Sequence, residues 1–216
     1  MTSRDVCLID CSGFSFKLLF LVCYRKIMVT GKRSLGVCNL PWVNNAVVVG
    51  IKLEDCDRVN FTPLAWVSQV NWSPVMLSLA INNNHFLATN LKEGSVVSIN
   101  VTTPEMYRHV DACGLVSGRK VDKSNRFAYE LVQNAPLLND SPVSIIAKMV
   151  TKVPNATNSV FIFDVVEIFA KEQVLDNSGK VVLSKCDPLI FSFDQPSYYK
   201  LGEALPLKPW EAGRDL

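Results

Sequence analysis

Residues 59–91, VNFTPLAWVSQVNWSPVMLSLAINNNHFLATNL, limit the fold of this chain more than any other stretch. Strand, turn, strand and helix start follow one another without a gap. Val75, Leu77, Leu79 and Ile81 alternate with Met76, Ser78 and Ala80, the period of two that a half-buried strand requires. Ser73-Pro74 ahead of them marks a turn, and Pro74 is tolerated at a strand's first residue, which need not donate to the ladder. Pro63 takes a donor out of the preceding strand, which predicts a bulge or a sheet edge there. Asn82, Asn83, Asn84 and His85 come next, then Phe86, Leu87, Asn90 and Leu91 at helical spacing. Asparagine before a helix predicts an N-cap. A helix that opens where a buried strand ends offers free N–H groups and a positive dipole end, a setting for phosphate. The same asparagines also serve as a tight turn and cap with no ligand. Spacing alone leaves both readings open.

The remaining pattern is mostly strand. Residues 44–53 (NNAVVVGIKL) read as a strand, Glu54 to Asp57 as an exposed hairpin loop, and residues 95–101 as another strand. Thr103-Pro104-Glu105 is a helix start, with Met106, Val110 and Cys113 as its apolar side. A further short helix is predicted over residues 125–133. Residues 143–153 form a long strand with Val143, Ile145, Ala147 and Met149 on one face. Residues 159–170 are apolar on both faces, interrupted only by Asp164 and Glu167. A strand apolar on both faces is covered on both, and in a small barrel the outer cover can be a second subunit. Residues 189–193 make a last short strand ahead of a proline-rich, partly helical tail. Six or seven strands with two or three short helices, no β–α rhythm and no GxGxxG argue against a dinucleotide fold and for an antiparallel barrel. No internal repeat is visible.

The 216 residues suit one domain, and an apolar fraction of 49% supports a sizeable core. Residues 1–30 stand apart. Their net charge accounts for the whole +2, since the basic and acidic residues of 31–216 balance. This leaves no basic face for nucleic acid. The apolar block around LLFLVCY is too short for a membrane span, which needs ~20 residues. It also lacks the flanks of a signal peptide. Residues 1–30 are read as an N-terminal extension of a chain that could start at Met28, with the domain over 31–216. Seven cysteines without CxxC spacing argue for free thiols in a reducing, cytoplasmic setting rather than a disulfide framework or zinc site. Only His85 and His109 are available to a metal, so a multi-histidine cluster is not expected.

Hydrolytic chemistry finds little support. No GxSxG is present, and neither histidine has a nucleophile signature nearby. Cys113 lies beside the cations Arg119, Lys120 and Lys123, which would lower a thiol's pKa, while burial would make it a structural cysteine.

Several segments in order resemble the flavin reductase-like family, the FMN-binding split barrels, and its flavoredoxin branch in particular. They are RSLGVCNLPWVNNAVVVGI (33–51), the Asn60 to Ala65-Trp66 pattern, CGLVSGRKVDK (113–123) and DPLIFSFDQPSYYKLGE (187–203). The resemblance covers residues 33–203 and implies a mainly β, Greek-key split barrel with a few short inserted helices. It implies non-covalent FMN at the two-fold interface of a homodimer. It places Asn60, Thr62, Pro63, Leu64, Ala65 and Trp66 along the ring and ribityl chain, with Ser68 nearby. Trp66 also fits a core aromatic. Asn82, Asn83, Asn84, His85 and Thr89 fall near the phosphate and ribityl chain, as do Ser117, Lys120 and Lys123. Taken alone, each lysine reads as a solvated surface charge. The branch often carries a basic or hydroxyl residue directly after the strand; here Asn82 stands there. The implied activity is that of an oxidoreductase moving hydride from NADH or NADPH to flavin, or electrons between a bound flavin and a redox protein. With no dinucleotide domain, a nicotinamide would stack on the flavin itself, and no catalytic side chain is named. An FMN carrier or store without nicotinamide oxidation, and a flavin-free interaction barrel, are the alternatives.

Overall fold

The computed structural model describes residues 28–29, 31–54 and 56–205. The chain divides into two units, residues 1–38 and 39–216. In the first, β1 (Met28–Val29) and β2 (Lys32–Arg33) form a small hairpin around Gly31, whose φ of 76° suits glycine. The rest of the extension expected over residues 1–30 lies outside the described residues.

In the second unit, two edge strands joined by two residues dictate the shape of the main sheet. Its order is β5 (Val59–Leu64), β4 (Val47–Lys52), β8 (Val96–Val101), β11 (Val143–Val153), β12 (Asn158–Ala170), β7 (Met76–Asn82) and β6 (Val67–Asn71). Strands β5 and β6 are the two edges, yet only Ala65 and Trp66 separate them in sequence. The sheet must therefore curl until its edges approach, giving an antiparallel, Greek-key split barrel. Pro63 sits on edge strand β5, where a missing donor costs least, and it pairs with Val48 without a register shift. The edge is found; the bulge is not.

Inward-facing Val47, Val49, Ile51, Leu77, Leu79, Ile81, Phe161 and Phe163 pack with Leu87 of α1 (Phe86–Asn90) in one core. The continuous apolar run in β4 has a simple cause. Its other face, with Val48, packs under Phe61, Met106, Val110 and Cys113. That cover is α2 (Tyr107–Gly114), entered through a 3₁₀ turn at Pro104–Met106. The expected strand over 44–53 is in fact two, because β3 (Val43–Asn45) leaves the barrel to pair with β13 (Ile190–Ser192) and β14 (Ser197–Tyr199).

The helix expected over residues 125–133 is wrong. β9 (Tyr129–Val132) and β10 (Ala135–Leu138) form a hairpin there. Gln133 and Asn134 both take positive φ, 50° and 64°, the geometry of a two-residue type I′ turn. The hairpin is anchored by fully buried Asn100. Its Nδ2 donates to the Val48 carbonyl (3.0 Å), and its Oδ1 accepts the Leu138 N–H (3.0 Å) and the Ser144 hydroxyl (2.7 Å). Gly50 makes room for this: a Cβ there would lie 2.6 Å from Pro136 and from Ser98 Oγ.

Strand β11 alternates less cleanly than expected. Register shifts after Ile146 and Met149 let Ile146, Ala147 and Met149 all be buried, with Ile145 only partly so. Strand β12 buries Ser159, Phe161 and Phe163 but leaves Val166 and Ile168 exposed. Its second apolar face is thus only partly covered within one chain, open at Val166 and Ile168. The region before β13 holds the short α3 (Leu183–Cys186), and beyond β14 the described tail has no helix.

Candidate functional site

A cleft of about 280 Å³ opens where three elements converge. β5 contributes Thr62 and Pro63, the start of α1 contributes Asn84, His85 and Phe86, and the end of α2 with the segment after it contributes residues 114–118 and Lys123. No carboxylate lines it. Lys123 and His85 line it, and Arg119 stands beside it.

Lys123 is the first. It is 4% exposed, with Nζ donating to the carbonyls of Cys113 (2.8 Å) and Phe61 (3.3 Å). The Cys113 carbonyl belongs to the last turn of α2, where unsatisfied acceptors and the dipole favour a cation. No carboxylate among the described residues pairs with it. Burial pulls its ammonium pKa below the usual lysine value. Two carbonyls solvate this buried cation but no counter-ion among the described residues neutralises it, so an arriving anion is favoured. This corrects the expectation of a solvated charge.

His85 is the second. It is the N-cap residue of α1, in place of the expected asparagine, and its side chain makes no capping bond. It stays exposed at the rim. Partial withdrawal of the ring from water, then the charge of Lys123, hold its pKa below the usual histidine value. The third is Arg119, missed as a site residue in the sequence. Its guanidinium donates to the Asn84 carbonyl and to Thr89 Oγ1, both at 3.1 Å, tying the loop after α2 to both ends of α1.

Behind these lies Asn60, buried on β5. Its Nδ2 donates to Thr62 Oγ1 (3.2 Å), while its Oδ1 has no partner. A Cβ at Gly118 would stand 2.1 Å from that oxygen and 2.6 Å from the Phe86 ring. Only glycine lets the loop approach so closely.

The other expected residues divide. Ser117 lines the cleft and its Oγ accepts the Arg119 N–H (3.3 Å). Thr89 reaches it through Arg119. Asn82 and Asn83 are spent on structure. Asn82 Oδ1 accepts the Asn84 N–H (2.9 Å), and Asn83 bonds the Asn155 carbonyl (2.9 Å) and Ser159 (2.6 Å). Leu64 and Ala65 are buried. Ser68 is exposed on β6 and donates to Gln69 O, and Lys120 is exposed; neither lines the cleft. Trp66 is 41% exposed and packs on Phe193 with ring centroids 5.1 Å apart. The phosphate setting expected at the helix start is weak, because α1 has only five residues and a correspondingly small dipole. Cys113 is fully buried, and burial pushes its thiol pKa up, as for a structural cysteine.

Residues 44–199 match the flavin reductase like domain. The chain belongs to the flavin reductase-like family. A flavin-binding redox role comes with that membership. Among solved structures, the flavoredoxin of Methanosarcina acetivorans is similar at 26% identity and a TM-score of 0.77, over 85% of this chain and 99% of that one. The flavoredoxin of Desulfovibrio vulgaris (Miyazaki F) is similar at 26% identity and a TM-score of 0.76, over 84% and 99%. A curated relative, an uncharacterized protein of Archaeoglobus fulgidus, is 22% identical over 116 residues. That match spans 52% of this chain and 66% of the relative, just under two thirds of its length. Among the described residues no helix is long and apolar enough to cross a membrane, and no group of metal-ligating side chains is assembled.

Proposed function

We propose that the cleft between β5, α1 and the 114–123 loop binds FMN, and that the protein is an oxidoreductase working through it. The observation that carries this reading is Lys123, a buried cation with no carboxylate partner, in a cleft without acidic residues. The orphaned Asn60 Oδ1 lies buried behind the cleft against Gly118, a polar atom left unsatisfied next to the site. FMN supplies reversible hydride and electron chemistry on its ring. In this reading Thr62, Pro63 and neighbouring backbone groups of β5 hold the ring edge, and Lys123 presents positive charge to the buried part of the ligand. Arg119, His85 and Ser117 receive the phosphate at the exposed rim. The 280 Å³ cleft is small for the whole cofactor. A second copy of the chain completes it in our reading, covering the exposed Val70, Trp72, Val75, Val166 and Ile168.

The hydride donor is proposed to be NADH or NADPH stacked on the ring, where alignment supplies most of the catalysis. Adding NADH anaerobically to the FMN-loaded protein tests this. Loss of flavin absorption near roughly 450 nm within seconds is expected. Retention of full absorption with either nicotinamide would assign the protein to electron transfer between other partners.

A further inference from the structure

Lysine is rarely buried without a carboxylate partner, so the surroundings of Lys123 bear on what the cleft accepts. Its Nζ donates to the Cys113 carbonyl in the last turn of α2 (2.8 Å) and to the Phe61 carbonyl of β5 (3.3 Å). Phe61 directly precedes Thr62 and Pro63, the two β5 residues that line the cleft. The ammonium is thus pinned to the strand that forms one wall. Two of its three N–H donors are taken, and Lys123 itself lines the cleft, so the third is open to a ligand. The groups close enough to share its field are Arg126, His85 and the Cys113 thiol, and none is a carboxylate.

The cleft sorts the parts of an anionic ligand by depth. At the rim Arg119 is exposed, and its bonds to Asn84 and Thr89 leave three of its five N–H donors. A phosphate there keeps much of its hydration and meets a planar donor set. Beside Thr62 and Pro63 a phosphate dianion would have to shed its water, which is costly. An oxidised flavin ring is neutral and enters at little electrostatic cost. Reduction changes this balance. Two electrons and one proton convert the neutral ring to its monoanion, with the new charge on the pyrimidine edge. A fixed cation in a buried, low-dielectric site stabilises that charge more than water-exposed lysines can.

We infer, on the flavin reading of the cleft, that Lys123 faces the ring rather than the phosphate and sets the redox poise of the site, holding reduced flavin more tightly than oxidised flavin. The bound couple then has a higher potential than the free one. That favours acceptance of hydride or electrons by the bound flavin and disfavours their loss.

Anaerobic reductive titration against a dye of known potential gives the midpoints of FMN and riboflavin, free and bound to the full chain. Riboflavin carries the ring without the phosphate, so it reports ring contact alone. Wild type is compared with Lys123→Met and with the charge-conserving Lys123→Arg. Wild type is expected to bind the reduced form of both flavins at least about tenfold more tightly than the oxidised form, a rise of roughly 30 mV for a two-electron couple. Lys123→Met should abolish the rise, and Lys123→Arg should keep most of it. A lysine that only braces the loop would not move the potential. A bound potential at or below that of the free flavin overturns the inference. So does a Lys123→Met variant that weakens oxidised and reduced FMN equally, or a rise with FMN that bound riboflavin does not show. Each of these results leaves the flavin reading standing. If Lys123→Met does not fold, the wild-type midpoints and Lys123→Arg decide; if riboflavin binds too weakly to titrate, the FMN midpoints decide. Failure of both flavins to bind overturns the two together.

Discussion

Lys123 and His85 show how far residue chemistry depends on placement. In sequence, Lys120 and Lys123 are two cations in one loop, and nothing local tells them apart. The fold exposes one and seals the other against two carbonyls. His85 gives a pH signature with a definite sign. Its folded pKa lies below the usual value near 6.5, so below that value the unfolded chain binds a proton that the folded chain does not. Its contribution to stability is therefore present above the usual pKa and lost as pH falls through the window beneath it. An anionic ligand at the rim reverses the shift and takes up a proton on binding. FMN affinity is expected to rise as pH falls from 8 to about 6. His85→Asn should flatten the part of that slope due to the imidazole, leaving the part due to the phosphate's own titration near pH ~6. Identical slopes for the two proteins would remove His85 from the phosphate end.

The elements most legible in the sequence were those with an unbroken period. The alternation of Leu77, Leu79 and Ile81 gave β7, and Met106, Val110 and Cys113 gave the buried side of α2. Pro63 pointed correctly to an edge. The β9–β10 hairpin is hard to see in the sequence because Gln133-Asn134 is a weak turn signal, lacking the glycine that normally advertises positive φ. Likewise Arg119 joins α1 to a loop 30 residues away, a contact that sequence spacing cannot reveal. The hairpin gives its own test. Gln133→Asn with Asn134→Gly relieves two left-handed non-glycine positions and should stabilise the protein by about 0.5–1 kcal/mol, read as a rise in melting temperature. A fall would mean that the turn is held by contacts other than its backbone angles.

On the scale of the whole molecule, the curled sheet hides one apolar face and leaves another showing. Trp72 is 85% exposed, with Val70, Val75, Val166 and Ile168 also open to solvent. A single chain rarely leaves so much apolar surface together without a partner. Light scattering should give twice the chain mass for the wild type, and Val70→Glu with Trp72→Glu should give the chain mass alone. A wild-type monomer would contradict the proposed dimer. The same dimer is what would enlarge the cleft to hold a full cofactor. The central claim, a flavin held over Lys123, is tested most directly by spectral titration of the full chain with FMN, wild type beside Lys123→Met and Lys120→Ala. The account predicts a perturbed flavin spectrum for the wild type, an affinity at least about tenfold weaker for Lys123→Met, and a change of less than about twofold for Lys120→Ala. An unperturbed spectrum, or equal affinity in all three proteins, would contradict it.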